Sequence, residues 1–137
     1  MKQNFKGDLI FDIPNQKSMK IAVVGSRNFT DKVLLENELI EIKNQIELII
    51  SGGASGADTL AENWAKENNI PTLIIKPDWK TYGRSAGIVR NKQIIESCDY
   101  CCAFWDCKSK GTEFSINYCN KISKEIKVIR FIPMVSN

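Results

Sequence analysis

LIISGGASGADTLAENWA, residues 48–65, decides the fold. Leu48-Ile49-Ile50 is an unbroken apolar run, the pattern of a strand covered on both faces rather than on one. Ser51 to Gly56 is a glycine-rich turn. Ala57, Leu60, Ala61, Trp64 and Ala65 then recur at helical spacing and place one apolar face on a helix that stops before Pro71. Strand, glycine turn and helix in that order form one half of a βαβ unit.

The same grammar repeats on either side. Short apolar runs occur at Ile21–Val24, Thr72–Ile75, Tyr100–Phe104 and Lys127–Ile132. Between them lie further helical stretches. The first carries Leu35, Leu39 and Ile42 on one face, with Thr30 or Asp31 as its N-cap; the third spans about residues 85–97 and the fourth about 112–123. Alternation of this kind predicts an α/β fold, a Rossmann-like three-layer sandwich with helices on both faces of a five-stranded parallel sheet. Right-handed crossovers give such a sheet the order 3-2-1-4-5, with a topological switch between the first and fourth strands. Ligands of open α/β sheets bind beyond the carboxyl ends of the strands at that switch. Residues 1–18 show no sustained period and read as an N-terminal arm, in which Leu9-Ile10-Phe11 could supply an edge strand or a dimer contact. Residues 19–137 read as one domain.

The 137 residues include 19 basic and 16 acidic side chains, a net charge of +3. That balance gives no basic stripe of the kind a dedicated nucleic-acid surface carries, so nucleic acid is a possible but not the favoured partner. No apolar run reaches the ~18 residues of a membrane span. The N-terminus lacks the apolar core of a signal peptide, so the expectation is a cytoplasmic chain without a membrane partner. Cys98, Cys101, Cys102, Cys107 and Cys119 then read as free thiols, with Cys101 and Cys102 as small buried residues of a core strand. Cys98 and Cys101 have zinc-like spacing, but the chain has no histidine and no second close cysteine pair to complete four ligands. No metal and no cofactor is expected.

Three loops at the switch carry the chemistry. Gly25-Ser26-Arg27-Asn28 follows the first strand, Ser51 to Asp58 the second, and Trp105 to Thr112 the fourth. Each leads into a helix whose first N–H groups are unpaired and electropositive, which suits an anion. Glycines let the backbone come close and turn successive N–H groups inward. Ser26, Ser55, Ser109 and Thr112 add hydroxyls, Lys110 an ammonium, and Arg27 a planar cation matched to phosphate. The pattern is neither GxxxxGK[ST] nor GxGxxG, which argues against a P-loop kinase or an ordinary NAD enzyme. After the third strand, Arg84 and Arg90 are placed to reach phosphates from the start of the third helix, and Asn91 beside Arg90 breaks the apolar face led by Ile94 and Ile95. Trp79 and Tyr82 lie off any core spacing. They either stack on a base or cap the sheet edge, and capping is the preferred reading for Trp79.

The runs VVGSRNF (23–29), ISGGASGADTLAENWA (50–65), PDWKTYGRSAGIVRN (77–91) and CDYCCAFWDCKSKGT (98–112) together resemble the SLOG superfamily, in its YspA/cpYpsA-related branch. The resemblance covers about residues 20–132. It implies a Rossmann-like domain that binds nucleotides or nucleotide-derived ligands, in ligand sensing or processing tied to bacterial mobile elements and phage conflict. The superfamily includes DprA recombination mediators and LOG-type phosphoribohydrolases. Carried over by motif, the ligand positions are Gly25, Ser26 and Arg27; Gly52, Gly53, Gly56 and Asp58; Arg90 and Asn91; and Gly111 and Thr112. Asp58 binds a ribose hydroxyl or caps N–H groups of its own loop. Analogy with the superfamily also implies a homo-oligomer.

LOG-type enzymes, which release ribose 5-phosphate from a nucleoside 5′-monophosphate, pair an arginine of the third helix with a glutamate three residues beyond the Gly-Thr threonine. Arg90 fits the first position and is the best catalytic candidate. The second falls on Ser115, which cannot stabilise an oxocarbenium ion as a carboxylate does. Glu113 sits two residues earlier, roughly 200° around the helix. Without histidine there is no Ser-His or Cys-His system. The expected function is therefore binding or sensing of a nucleotide-like small molecule. Phosphoribohydrolysis is the alternative, and DprA-like single-stranded DNA binding the third reading.

Overall fold

The computed structural model describes residues 18–134. All but the last residue of the 1–18 arm lies outside the described residues. Five strands, β1 (Met19–Gly25), β2 (Ile46–Ser51), β3 (Thr72–Ile74), β4 (Tyr100–Trp105) and β5 (Glu125–Arg130), form one sheet in the order β3-β2-β1-β4-β5. Every neighbouring pair is parallel. The expected α/β architecture and strand order are both present. The central strand β1 is bracketed by β2, through Ile21 opposite Ile49, and by β4, through Val23 opposite Cys102.

Alternate residues of the central strands feed two cores. On one face Ile21, Val23, Ile49, Cys102 and Phe104 pack with Leu35 and Leu39 of α1 (Lys32–Ile40) and with Ala57, Ala61, Trp64 and Ala65 of α2 (Ala57–Glu67). On the other, Ala22, Val24, Ile50, Cys101 and Ala103 meet Ile94 and Ile95 of α4 (Ala86–Ser97) and Cys119 of α5 (Lys110–Lys121). Cys101 and Cys102 are thus small core residues, one on each face. Asp31, not Thr30, caps α1, accepting the Leu34 N–H at 3.0 Å. Ile42 lies beyond the end of α1 but still packs on its core.

Burial on both faces holds for the central strands and fails at one edge. All three residues of β3 are exposed, because an outer strand has a single neighbour and its helix cover thins out. The sequence pattern also gives no sign of α3 (Trp79–Tyr82), a single helical turn capped by Asp78, which accepts the Thr81 N–H at 3.1 Å. A lone turn is too short to display a period. Phe29 anchors the segment after β1. It is fully buried and meets Phe104 and Phe131 edge-to-face, each at 4.8 Å between ring centres. This packing fixes the path of Ser26-Arg27-Asn28 across the top of the sheet.

Candidate functional site

The carboxyl ends of β1, β2 and β4 open into a cleft of about 450 Å³. Gly25, Ser26, Arg27 and Asn28 border it from β1, Gly52, Ala54 and Asp58 from β2 and α2, and Arg90 and Asn91 from α4. Asp106, Ser109, Gly111, Thr112 and Ser115 close it from the β4–α5 side. Gly25 is required by close approach: a Cβ there would lie 2.6 Å from Ala57 Cβ and 2.7 Å from the Phe104 carbonyl oxygen. Only a bare backbone lets β1, α2 and β4 converge this tightly.

Arg90 is held rigidly. Its Nη1 donates to the Gly52 carbonyl at 2.7 Å and its Nε to Asn91 Oδ1 at 2.9 Å. A guanidinium has five N–H donors, so three remain for a ligand. Burial makes its charge costlier, the Asp58 carboxylate supports that charge, and Arg27 opposes it. Two guanidinium groups thus line one cleft.

Asp58 settles the choice left open by its spacing. Its Oδ2 accepts the N–H groups of Gly52 and Ala54, both at 3.1 Å, so it caps its own loop. Ser51 Oγ accepts the Gly53 N–H at 3.2 Å and donates to Glu62 at 2.5 Å. The glycine-rich loop is thus not an open nest of N–H donors. The N–H groups of Gly52 and Ala54 are taken by the Asp58 carboxylate and that of Gly53 by the Ser51 hydroxyl. Burial raises the Asp58 pKa to about 6, against the pull of the Ala54 N–H, Arg90 and the Gly52 N–H.

The β4–α5 loop is organised by Asp106. Its Oδ1 accepts the N–H groups of Lys108 (2.9 Å) and Ser109 (2.8 Å), and its Oδ2 accepts from Asn28 at 3.2 Å. Its own N–H donates to Ser26 Oγ at 3.2 Å, joining the β1 and β4 loops. Burial opposes ionisation of Asp106, but these donors outweigh it and hold the carboxyl below its ordinary value. Ser109 caps α5 and pairs with Thr112 Oγ1 at 3.1 Å, which presents the first turn of a twelve-residue helix to the cleft.

Of the residues singled out in the sequence, Gly25, Ser26, Arg27, Gly52, Asp58, Arg90, Asn91, Gly111 and Thr112 come together here. Gly53, Ser55, Gly56, Arg84 and Lys110 do not line the cleft. Gly53 faces Ile74 and Lys76, and Gly56 packs under the carbonyls of Ser26 and Arg27. Lys110 points into solvent and pairs with Glu113 at 3.9 Å. Glu113 is accordingly turned away, while buried Ser115 lines the cleft where the LOG-type pattern has its glutamate. Trp79 does not cap the core: it is 59% exposed. Lining residues that the sequence reading gave no ligand role are Ala54 and Asp106, in loops without a period, and Ser115, on α5. The Asp106-x-x-Ser109 spacing, a turn followed by a cap, is the signal that points to Asp106. Among the described residues no cluster of three or more histidine, cysteine or acidic side chains could hold a metal ion, and no helix is long and apolar enough to cross a membrane.

Comparison with known proteins follows the same lines. The Gene 61 protein of Mycobacterium phage D29 is 28% identical over 121 residues, spanning 82% of this chain and 95% of that protein. DNA processing protein A from Streptococcus pneumoniae superposes with a TM-score of 0.69 at 19% identity, over 82% of this chain and 50% of that one. The chain thus spans half the length of that structure. DNA processing protein A from Helicobacter pylori, whose structure is described for its single-stranded DNA binding mode, gives a TM-score of 0.60 at 24% identity, over 87% of this chain and 67% of that one. At such identities the likeness is one of fold. The model of the YspA, cpYpsA-related SLOG family matches residues 19–82, from β1 through α3. Over those residues, a little under half of its length, the chain is similar to that YspA, cpYpsA-related SLOG family.

Proposed function

We propose that the cleft binds the phosphate of a nucleotide or nucleotide-derived ligand and holds it without turnover. One observation carries this reading: two cations, Arg27 and Arg90, line the same cleft, and Arg90 is pinned by Gly52 and Asn91 with donors to spare. A phosphate between them takes up the free donors, while the first turn of α5 adds its N–H groups. Binding rather than hydrolysis is favoured because the carboxylates lining the cleft, Asp58 and Asp106, are both engaged by backbone N–H groups, and Ser115 has no charge to offer. The test is incubation with nucleoside mono-, di- and triphosphates and dinucleotides. Thermal shift reads binding and chromatography reads turnover. A shift with intact ligand supports the proposal; release of free base overturns it in favour of phosphoribohydrolysis.

Single-stranded DNA binding is the second reading. It is supported by Lys76, Lys80 and Arg84 running beside exposed Trp79 and Tyr82, and by the fold shared with the two DprA structures. Such binding weakens steeply as salt rises. Retention of an oligonucleotide at low salt, with no shift by any mononucleotide, would replace the first reading by this one. Exposed Val33 and Ile40, seven residues apart on α1, give self-association a candidate face, which sedimentation measures.

A further inference from the structure

Two of the tryptophans have opposite environments. Trp64 is packed in the core beneath α2, whereas Trp79 is left largely in water at the start of α3. A single exposed apolar side chain is ordinary in a folded protein, and by itself it marks nothing. Its position gives it meaning. The far edge of the Trp79 indole lies over Gly87 of α4, where an added Cβ would sit 4.0 Å from it. Gly87 is three residues before Arg90 and four before Asn91, so all three share one face of the helix. Gly87 has no side chain, and the surface between the indole and the arginine is left low.

We propose that Trp79 is the platform on which the base of the bound nucleotide stacks, with its phosphate between Arg27 and Arg90. This rests on the phosphate-binding reading of the cleft and extends it by naming the second half of the ligand. Gly87, beneath the indole, and Arg90 are three residues apart, ~4.5 Å along the axis of α4. That is the order of separation a ribose places between its base and its 5′-phosphate. The local charge suits the same occupant: from residue 76 to residue 90 the chain carries Lys76, Lys80, Arg84 and Arg90 against Asp78 alone. The Asp78 cap fixes the backbone turn of α3 that carries Trp79. Stacking discriminates little among bases because each presents a π-face, so the site selects a nucleotide over a sugar phosphate rather than one base over another.

Calorimetric titration with adenosine 5′-monophosphate, uridine 5′-monophosphate and ribose 5-phosphate tests this in the full chain and in Trp79→Ala and Trp79→Phe variants. The expected result is a loss of roughly 10-fold in affinity for both nucleotides in Trp79→Ala, an unchanged affinity for ribose 5-phosphate, and recovery in Trp79→Phe. Equal loss of all three probes in Trp79→Ala overturns the platform, since that marks a structural role. So does a wild-type protein that binds nucleotides and ribose 5-phosphate equally well, an outcome that leaves the phosphate site standing. A wild-type protein that binds none of the three removes the phosphate site and the platform with it. A change of sedimentation in Trp79→Ala assigns the indole to a second copy of the chain instead.

Discussion

Arg90 Nη1 donates to the carbonyl of Gly52 across 38 residues of chain, at 2.7 Å. The same glycine gives its N–H to Asp58. The two peptide groups that flank Gly52 therefore link the buried carboxylate of α2 to the guanidinium of α4.

Arg90→Ala is expected to lower affinity for a nucleotide by about 10-fold or more, since a hydrogen bond to a charged group contributes ~1.5–3 kcal/mol. It also leaves the Gly52 carbonyl without its donor, at ~1–3 kcal/mol of stability. Arg90→Lys should keep the charge but recover only part of the affinity, because an ammonium cannot hold Gly52 and Asn91 and still present a fork. Calorimetry and urea denaturation read the two effects separately.

The carboxyl of Asp58 titrates at about 6 in the folded chain against 3.8 for an ordinary aspartate, because burial disfavours its charge. Folding therefore takes up a proton between these values. Stability from this group is fully present below pH 3.8 and is lost as pH rises through about 6, on the order of 3 kcal/mol. Asp58→Asn should flatten that part of the profile. Identical slopes from pH 4 to 7 in the two proteins would show that Asp58 is not responsible.

Gly56 has φ +80°, and a Cβ there would lie 2.4 Å from the Ser26 carbonyl oxygen and 2.6 Å from that of Arg27. Gly56→Ala is expected to cost about 3 kcal/mol, combining backbone strain with overpacking, and to weaken ligand binding by displacing Arg27. Gly53→Ala, at φ +74° but facing the movable side chains of Ile74 and Lys76, should cost nearer ~1 kcal/mol. Chemical denaturation of both variants checks the order.

Lys110→Ala and Arg84→Ala should leave mononucleotide affinity within about 2-fold, as surface changes away from the cleft typically do. Arg84→Ala also separates the two functional readings. A reduced salt slope for oligonucleotide binding in this variant would favour the single-stranded DNA reading.

Cys98, Cys101, Cys102 and Cys119 are buried and Cys107 is exposed. Burial raises the thiols of Cys98, to about 11, and Cys102, to about 12. Brief alkylation of the native protein should therefore modify Cys107 alone, and all five cysteines only after denaturation. Mass spectrometry of the labelled chain gives the count.

The strongly patterned parts of the fold were legible. Ile21–Val24, Leu48–Ile50 and Tyr100–Phe104 read as continuous apolar strands because helices cover both sides of them. The edge strand β3 looked the same in sequence yet is exposed, since composition does not say which strand lies outermost. In the site, glycines and arginines stood out by type. Asp106 and Ser115 did not, because their placement depends on a turn and on the face of a helix rather than on a motif.

Apolar runs and helical spacing by themselves determined the five strands, the four longer helices between them and, through the handedness of crossovers, the order that puts three loops at one end of the sheet. Those are properties of local chain geometry, and local spacing is enough to set them. Tertiary structure alone decided how the polar groups share their partners. Asp58 fills the glycine-rich loop, Gly52 and Asn91 anchor Arg90, and Trp79 is left in water beside Gly87. The Arg90–Gly52 bond joins residues 38 apart, the exposure of Trp79 depends on what covers it, and the local bonds of Asp58 and Asn91 depend on where each side chain turns, which spacing does not state.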